Sequence, residues 1–549
     1  MAGLILPMAY MGFISVDWAW RGHRSVSTEE GSSASPSSVG GYDSRGNRFM
    51  KLIQETLGRL DRSGPGVRSR GSVVGPADRR GAAEPSPLML EQTAHGASRE
   101  NAIKVLVLVC LGAVSAMVIA RTGISWGRFG RASSSFGSAA WSATLVYGSF
   151  MYAVLLWRLW LWRRYRPMAA VADESLPSVT VVMPVFNEGA LVAEAIRSVA
   201  ASRYPAGRLE LVIVDDGSTD DSWLHILRGA RAVSDRIKVT TLRHVSNKGK
   251  RHALHLGFSR GRSEVFVTVD SDSLLHPDAI CNGAAALVRD RRVGCVAGCV
   301  EVLNPRASLI TRFLKCSFSL SFKFVRAYQN EFRGVFCTPG ALSFYRAAFV
   351  REVADEWVSQ RFLGQACTTG EDRSMTNLFL REGWLTAYQG NSKVFSKMPE
   401  TFAGMCRMFL RWARSNIRET VVLFGFLFRQ FRGAFLNTFR LNMLLATLSL
   451  VLPPIFVAGS LMLLVTRDGY ALNQFLAVMV YSLSVAVIYY INERDTDWVW
   501  LIVYELVWVS CLWWIIPYAF ISLRNTGWLT RSAGSESCKP FLAGPATAN

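Results

Sequence analysis

Three carboxylate clusters and one Arg-Trp pair stand out in the 549-residue sequence because their residue types and spacing suit group transfer. Asp270-Ser271-Asp272 holds two carboxylates two positions apart where a β-rich run ends, so both can bind one hard cation that also takes diphosphate oxygens. The same triplet also reads as two surface acids ending a strand. Asp215-Asp216-Gly217-Ser218 follows an earlier β-rich run. Carboxylates at a sheet edge can accept hydrogen bonds from a base or ribose, with Gly permitting the tight turn. Alone, the motif equally describes an Asp-Gly turn with Ser218 or Thr219 as helix cap. Gly370-Glu371-Asp372-Arg373 supplies a further carboxylate pair at a helix start. Transfer to a hydroxyl needs a base for its proton, and Asp372 is the candidate, with Glu371 beside it. Acids in a first helical turn also simply match the dipole. Arg411-Trp412 joins a guanidinium able to hold a diphosphate to an indole face able to stack on a pyranose ring. An interfacial aromatic beside a snorkelling Arg is the plainer reading. The joint occurrence of all four, in this order, is much harder to obtain by chance than any one of them and points to a nucleotide-sugar site.

The elements that must position these residues are legible around them. Between residues 178 and 300, β-rich runs at 179–183, 209–214, 237–242 and 264–269 alternate with helical patterns. That alternation predicts a mostly parallel, Rossmann-like α/β sheet whose ligands sit beyond the carboxyl ends of the strands, where the polar clusters fall. Residues 304–440 read as more helical. Within 401–435, Arg407, Arg411, Arg414, Arg418, Arg429 and Arg432 punctuate apolar turns, a mixture suited to helices lying at a membrane surface.

Half of the chain is hydrophobic, and the apolar residues cluster in runs at 105–120, 140–157, 441–465, 472–491 and 498–523, the last broken only by Glu505. Five such runs together predict a multispanning membrane protein. The formal net charge of +20 accompanies these runs as flanking Lys and Arg, so we assign it to membrane orientation and lipid headgroups and not to nucleic acid. Arg158, Arg163, Arg164 and Arg166 after the second run place the middle section in the cytosol, as in a multi-pass protein of the plasma (inner) membrane. Ten cysteines at irregular spacings indicate neither a zinc site nor a disulfide framework. The expected organisation is a disordered tail rich in Ser, Gly, Arg and Pro (1–100), two transmembrane helices (101–165), a catalytic domain (166–400) and interfacial amphipathic helices (401–438). C-terminal transmembrane helices (439–524) and a cytosolic tail (525–549) complete it.

Residues 179–420 resemble family-2 glycosyltransferases, and within them hyaluronan synthases. The likeness is carried by residues 355–373, by Cys337-Thr-Pro-Gly-Ala-Leu-Ser-Phe-Tyr-Arg346 and by Trp528-Leu-Thr-Arg531. Arg411-Trp-Ala-Arg-Ser415 is also similar to the chitin-oligosaccharide synthases of nodulating bacteria. The resemblance implies a cytosolic GT-A (Rossmann-like) α/β domain inserted between N- and C-terminal transmembrane helices. By it, Asn187, Glu188, Asp215, Asp216 and Lys250 hold uridine and diphosphate, with Arg411, Trp528 and Arg531 on the same donor. It further assigns Mg²⁺ or Mn²⁺ to Asp270 and Asp272, the base to Asp372 beside Glu371, and the acceptor side to Trp412, Cys337 and Gly340. The implied partners are UDP-GlcNAc, UDP-GlcUA, the growing β-linked polysaccharide and membrane lipid; the oligomeric state is unassigned. Such enzymes add a sugar, translocate the chain through their own helices and repeat.

Three departures bear on that expectation. The family's Gln-x-x-Arg-Trp is Met408-Phe-Leu-Arg-Trp, its Ser-Gly-Pro is Pro339-Gly-Ala, and its Trp-Gly-Thr-Arg is Trp528-Leu-Thr-Arg. A chitin-type N-acetylglucosaminyltransferase using one donor is the alternative within enzymes; a non-catalytic membrane scaffold or exporter component is the alternative outside them. The joint presence of Asp270, Asp272 and Asp372 argues against the scaffold. No ATP-binding loop is present, so export would be driven by synthesis. Two spans before the catalytic section and three after it would leave Trp528 outside, so one crossing is miscounted. Either 498–523, with Glu505 and Pro517, forms two re-entrant half-helices, or 420–435 crosses.

Overall fold

The computed structural model describes residues 87–122, 135–205, 207–428, 439–448 and 470–525. Its centre is an eight-stranded sheet of order β3-β2-β1-β4-β7-β6-β10-β5. The strands are β1 (Val179–Val185), β2 (Leu209–Asp215), β3 (Lys238–Arg243), β4 (Val265–Thr268), β5 (Ser273–Leu275), β6 (Val293–Val302), β7 (Ser343–Arg346) and β10 (Leu385–Ser396), while β8 (Arg361–Phe362) and β9 (Gln365–Ala366) form a separate hairpin. The four runs expected as strands are β1 to β4, mutually parallel through β3-β2-β1-β4. The expectation of a mostly parallel sheet needs correcting at β7, antiparallel to both β4 and β6, and at β5, antiparallel to β10. Both are only three or four residues long, too short for a pattern of their own.

Every residue of β1 is buried because helices cover both faces of the sheet. The alternation of strand side chains sorts them: Val181, Met183 and Val185 join Ile196 and Ile226 in one core, whereas Val182 packs with Leu254, Phe258 and Trp357 in another. In register, Val185 lies opposite Asp215, and Asp215 opposite Arg243, so the polar segments after β1, β2 and β4 emerge along one sheet edge. The chain then folds helices against that edge: Leu309–Ser319 running into a π-helix at Leu320–Arg326, then Glu371–Arg381, then Phe402–Leu427.

Outside this domain lie helices Pro87–Thr122, Ser135–Arg164, Phe439–Leu448, Tyr470–Glu493 and the pair Trp498–Leu512 and Ile515–Ile521, bent by 44°. Among the described residues one helix is long and apolar enough to cross a membrane, over Glu100–Met117; the bent pair passes as a second if it is one broken span. Residues 87–100, assigned to the tail by composition, are helical and run continuously into the first apolar run. Of residues 401–438, those from 429 to 438, with Arg429 and Arg432, lie outside the described residues. One 26-residue helix occupies most of that stretch, with Arg414 and Arg418 turned inward, 6% and 4% exposed. The helix packs against protein on that side, so these two cations find partners there and do not face lipid: Arg414 donates to Ser522 Oγ (3.1 Å) and Arg418 to Glu419 Oε1 (3.0 Å). Trp528, Arg531 and most of the 441–465 run lie outside the described residues.

Candidate active site

The segments at the carboxyl ends of β1 and β2 are tied to one another before any ligand is considered. Asp215 is fully buried, accepts from Ser218 Oγ at 2.5 Å and pairs with Arg243 Nε at 2.8 Å. Asn187 has φ 50°, and its Oδ1 accepts from the Thr219 amide at 2.9 Å, locking the β1 loop onto the β2 loop. Glu188 Oε2 accepts from Ser271 Oγ at 2.9 Å, which links β1 to β4. Asp216 accepts from the Lys248 and Gly249 amides at 3.0 and 2.7 Å and lies 2.7 Å from His244 Nδ1. Its carboxylate thereby fixes the turn that delivers Lys250 at the start of the Lys250–Arg260 helix.

Lys250 is the electrostatic centre. Its ammonium lies 2.6 Å from Asp270 Oδ1 and 2.9 Å from Glu371 Oε1, joining two of the sequence clusters. Burial opposes its charge, but the two carboxylates outweigh that and raise its pKa. Glu371 is equally buried; burial pushes its carboxyl up, and the Lys250 charge and hydrogen bond override this and hold it below the usual carboxylate range. Asp372 goes the other way: burial first, then the adjacent Glu371 charge, raise it. Asp372 Oδ1 accepts from the Arg373 amide at 2.7 Å; its Oδ2 accepts from the Gly340 amide at 3.2 Å and lies 3.6 Å from Cys337 Sγ. Oδ2 therefore has both lone pairs engaged, whereas Oδ1 keeps one free to accept a further proton or hydrogen bond. A Cβ at Gly340 would come within 2.7 Å of Lys250 Nζ and push the ammonium off its position between Asp270 and Glu371. Gly370 precedes helix Glu371–Arg381 in the left-handed region (φ 72°), with a Cβ position 2.6 Å from Ser415 Cβ, so that helix seats directly on helix Phe402–Leu427.

A cavity of about 730 Å³ opens over these groups. Asp216, Lys250, Asp270, Asp272, Glu371 and Asp372 line its polar side. Cys337, Gly340, Met408, Arg411 and Trp412 line it as well. Asn187, Glu188 and Asp215 stand outside its wall and hold the loops that shape it. Trp412 packs at 5.9 Å ring separation against Phe318, which stacks on Phe322 at 5.7 Å, giving an aromatic wall. Arg411 faces the same space, and its charge contributes to lowering Glu371. Met408, 5% exposed, adds an apolar thioether to that wall.

Asp270 and Asp272 offer the hard carboxylate oxygens that Mg²⁺ or Mn²⁺ prefers. Asp272 Oδ1 accepts from Ser273 Oγ at 3.2 Å and Ser396 Oγ at 3.4 Å, which orients it at the cavity wall. Among the described residues no three His, Cys, Asp or Glu side chains converge, so a cation on Asp270 and Asp272 would have to take its other ligands from a bound diphosphate or water.

Arg326 escaped the sequence reading. It is 5% exposed in the π-helix, lines the cavity, and sits 3.8 Å from the Phe322 ring centroid. A single Arg within an apolar helical pattern reads as surface, and only the tertiary fold turns it inward.

Residues 177–415 match the family described as "Glycosyltransferase like family 2". An N-acetylglucosaminyltransferase of Rhizobium leguminosarum bv. viciae is 30% identical over 377 residues, covering 68% of this chain and 86% of the relative. A hyaluronan synthase of Streptococcus pyogenes is 30% identical over 280 residues, covering 50% and 65%. Among solved structures, a mannosyltransferase from Pyrobaculum calidifontis in complex with GDP-Man and Mn²⁺ is similar with a TM-score of 0.41 and 19% identity, over 68% of this chain and 96% of that one. The sheet-edge carboxylates, the cavity and the match over most of an N-acetylglucosaminyltransferase lead to one assignment: the chain belongs to the family-2 glycosyltransferases.

Proposed function

We infer that the protein is a membrane-embedded, hyaluronan synthase-like polymerase that joins UDP-GlcNAc and UDP-GlcUA into a β-linked polysaccharide and passes it across the membrane. Arg326 carries the choice of a uronate donor. Among the described residues it has no acidic partner within ion-pair distance; its Nη1 is spent on Ser321 O (3.2 Å) and Oγ (3.1 Å), and its Nε has no hydrogen-bond partner. A guanidinium stays charged even when burial lowers its pKa; the Phe322 ring and the more distant Asp372 charge compensate it only in part, which favours an arriving anion. Both donors bring a diphosphate, which we assign to Lys250 and Arg411; a glucuronate carboxylate is the additional anion that only one of them brings.

In the reaction, the acceptor hydroxyl oxygen bonds to C1 of the donor sugar, the C1–O bond to the diphosphate breaks with its electron pair leaving on UDP, and the hydroxyl proton passes to Asp372. The raised pKa of Asp372 suits that task, and Lys250 and Arg411 hold the diphosphate. A divalent cation on Asp270 and Asp272 would neutralise charge developing on the departing UDP. Trp412 and Phe322 give the acceptor pyranose an apolar face to lie on.

Embedding in a membrane is supported by apolar side chains that no protein covers. Val105, Leu106, Val109 and Met117 are each at least 60% exposed, as are Val146 at 71% and Ile521 at 79%. Arg163 and Arg164 end the helix Ser135–Arg164 where it enters the catalytic domain, which fits a cytosolic catalytic face.

A second reading, a chitin-type enzyme using UDP-GlcNAc alone, is favoured by coverage: the Rhizobium N-acetylglucosaminyltransferase is matched over 86% of its length, the hyaluronan synthase over 65%. Single-donor UDP release by Arg326→Gln separates the two. The uronate reading expects UDP-GlcUA turnover to fall at least about 30-fold, with UDP-GlcNAc turnover within about twofold of native. Equal losses on both donors, or no UDP-GlcUA turnover by the native protein, would favour the single-donor enzyme.

A further inference from the structure

The π-helix Leu320–Arg326 touches three parts of the molecule at once. Ser321, Phe322 and Arg326 form part of the cavity wall. Lys323, on the same turn, points away from the cavity into a cluster of charges. Its ammonium lies 2.8 Å from Glu493 at the end of helix Tyr470–Glu493, and 3.1 Å from Glu301 on β6, which also pairs with Lys393 of β10 at 3.1 Å. One turn earlier Ser319 Oγ donates to Glu493 at 2.5 Å, and the backbone carbonyl of Lys323 accepts from Trp162 Nε1 of the N-terminal apolar helix at 2.9 Å. Catalytic sheet, N-terminal helix and C-terminal helix thus all converge on the residue next to Phe322.

The cluster continues along the domain boundary. Lys315 bridges Asp495 and Asp497, both at 2.6 Å, and Lys104 of the membrane-crossing candidate reaches Asp497 at 2.9 Å. Half-buried ion pairs of this kind add little net stability over apolar packing, because desolvation offsets their attraction. What they do fix is register: a Lys or Glu placed one turn away is left buried and unpaired. A widened π-turn, itself less stable than α-helix and common at functional sites, is held in place by that register.

We propose that Lys323, acting through Glu493, is a positioning residue that keeps the acceptor wall aligned with the membrane block, so that an elongated chain stays engaged between transfers. This rests on the polymerase reading above. The donor pocket, built from β1, β2 and β4 and from Lys250, shares no residue with the Lys323 cluster. Arg326 on the same turn is held by its own contacts to Ser321 and Phe322, so loss of Lys323 shortens the product while changing donor cleavage by no more than about twofold.

The test uses the full chain in membranes with both UDP-GlcNAc and UDP-GlcUA, measuring UDP release and product length side by side for Lys323→Met, Glu493→Gln and Lys323→Arg. Lys323→Met and Glu493→Gln each shorten the mean product at least about threefold, with UDP release within about twofold of native, and Lys323→Arg restores length. Native-length product from both variants overturns the inference. So does a parallel fall in length and UDP release, the signature of a purely structural role. A native protein that adds only single sugars would instead overturn the polymerase reading, an outcome visible before any variant is made.

Discussion

Asp372 and Glu371 are neighbours in sequence with opposite acid-base behaviour, and the fold produces the difference. Lys250 lies 2.9 Å from Glu371, whereas the hydrogen-bond donors on Asp372 are neutral: the amides of Gly340 and Arg373 and the Cys337 thiol. One carboxylate is therefore held ionised and the other is pushed up, as befits a base that must take a proton from a hydroxyl. Asp372→Asn should lower the transfer rate about 10²- to 10⁴-fold while leaving UDP affinity within about twofold, read by single-turnover kinetics and equilibrium UDP binding. Only ionised Asp372 is competent, and its pKa is raised, so activity must fall as pH drops through a limb above the ordinary aspartate range near about 3.9. Glu371→Gln removes the second cause of that rise, the neighbouring negative charge, and should shift the limb to lower pH; an unmoved limb would contradict the assignment.

At the scale of elements, the catalytic helix Glu371–Arg381 is held to the helix bearing Arg411 and Trp412 by buried polar contacts. Arg373 donates to Asn416 Oδ1 at 3.1 Å and to Thr420 Oγ1 at 2.9 Å, and Asn377 Nδ2 donates to the Glu419 carbonyl at 2.7 Å. Glu419 is fully buried, accepting from Arg418 Nε at 3.0 Å and Gln360 Nε2 at 3.2 Å. Glu419→Gln leaves the Arg418 charge uncompensated and should cost about 3 kcal/mol, seen as a lower midpoint of thermal inactivation in detergent. An unchanged midpoint would show that the helices are joined by other means. β1 to β4 were legible in the sequence because each is a β-rich run ending in a polar cluster; β5 and β7 were not, being short strands paired only through tertiary contacts. The carboxylate motifs were legible as clusters, but their division of labour was not. Asp215 and Asn187 look like ligand groups in sequence, yet they spend their oxygens on Ser218, Arg243 and Thr219. Arg326 and Glu419 carry no motif at all, and only packing reveals that they are buried.

Across the whole molecule, the cavity at the sheet edge has an aromatic wall of Phe318, Phe322 and Trp412, and the turn carrying Phe322 also meets a boundary of ion pairs to apolar helices. In the proposed polymerase, that boundary would keep the product in register with the apolar helices between transfers. Arg326 in the cavity wall, with no acidic partner within ion-pair distance among the described residues, is what supports the proposal that one of the sugars is anionic. Radiolabel incorporation into polymer, by membranes containing the protein with Mn²⁺ or Mg²⁺, tests this most directly by comparing UDP-GlcNAc alone, UDP-GlcUA alone and both together. The account predicts polymer only when both donors are present. Polymer from UDP-GlcNAc alone would contradict the uronate assignment, and no transfer from either donor would contradict the enzyme proposed here.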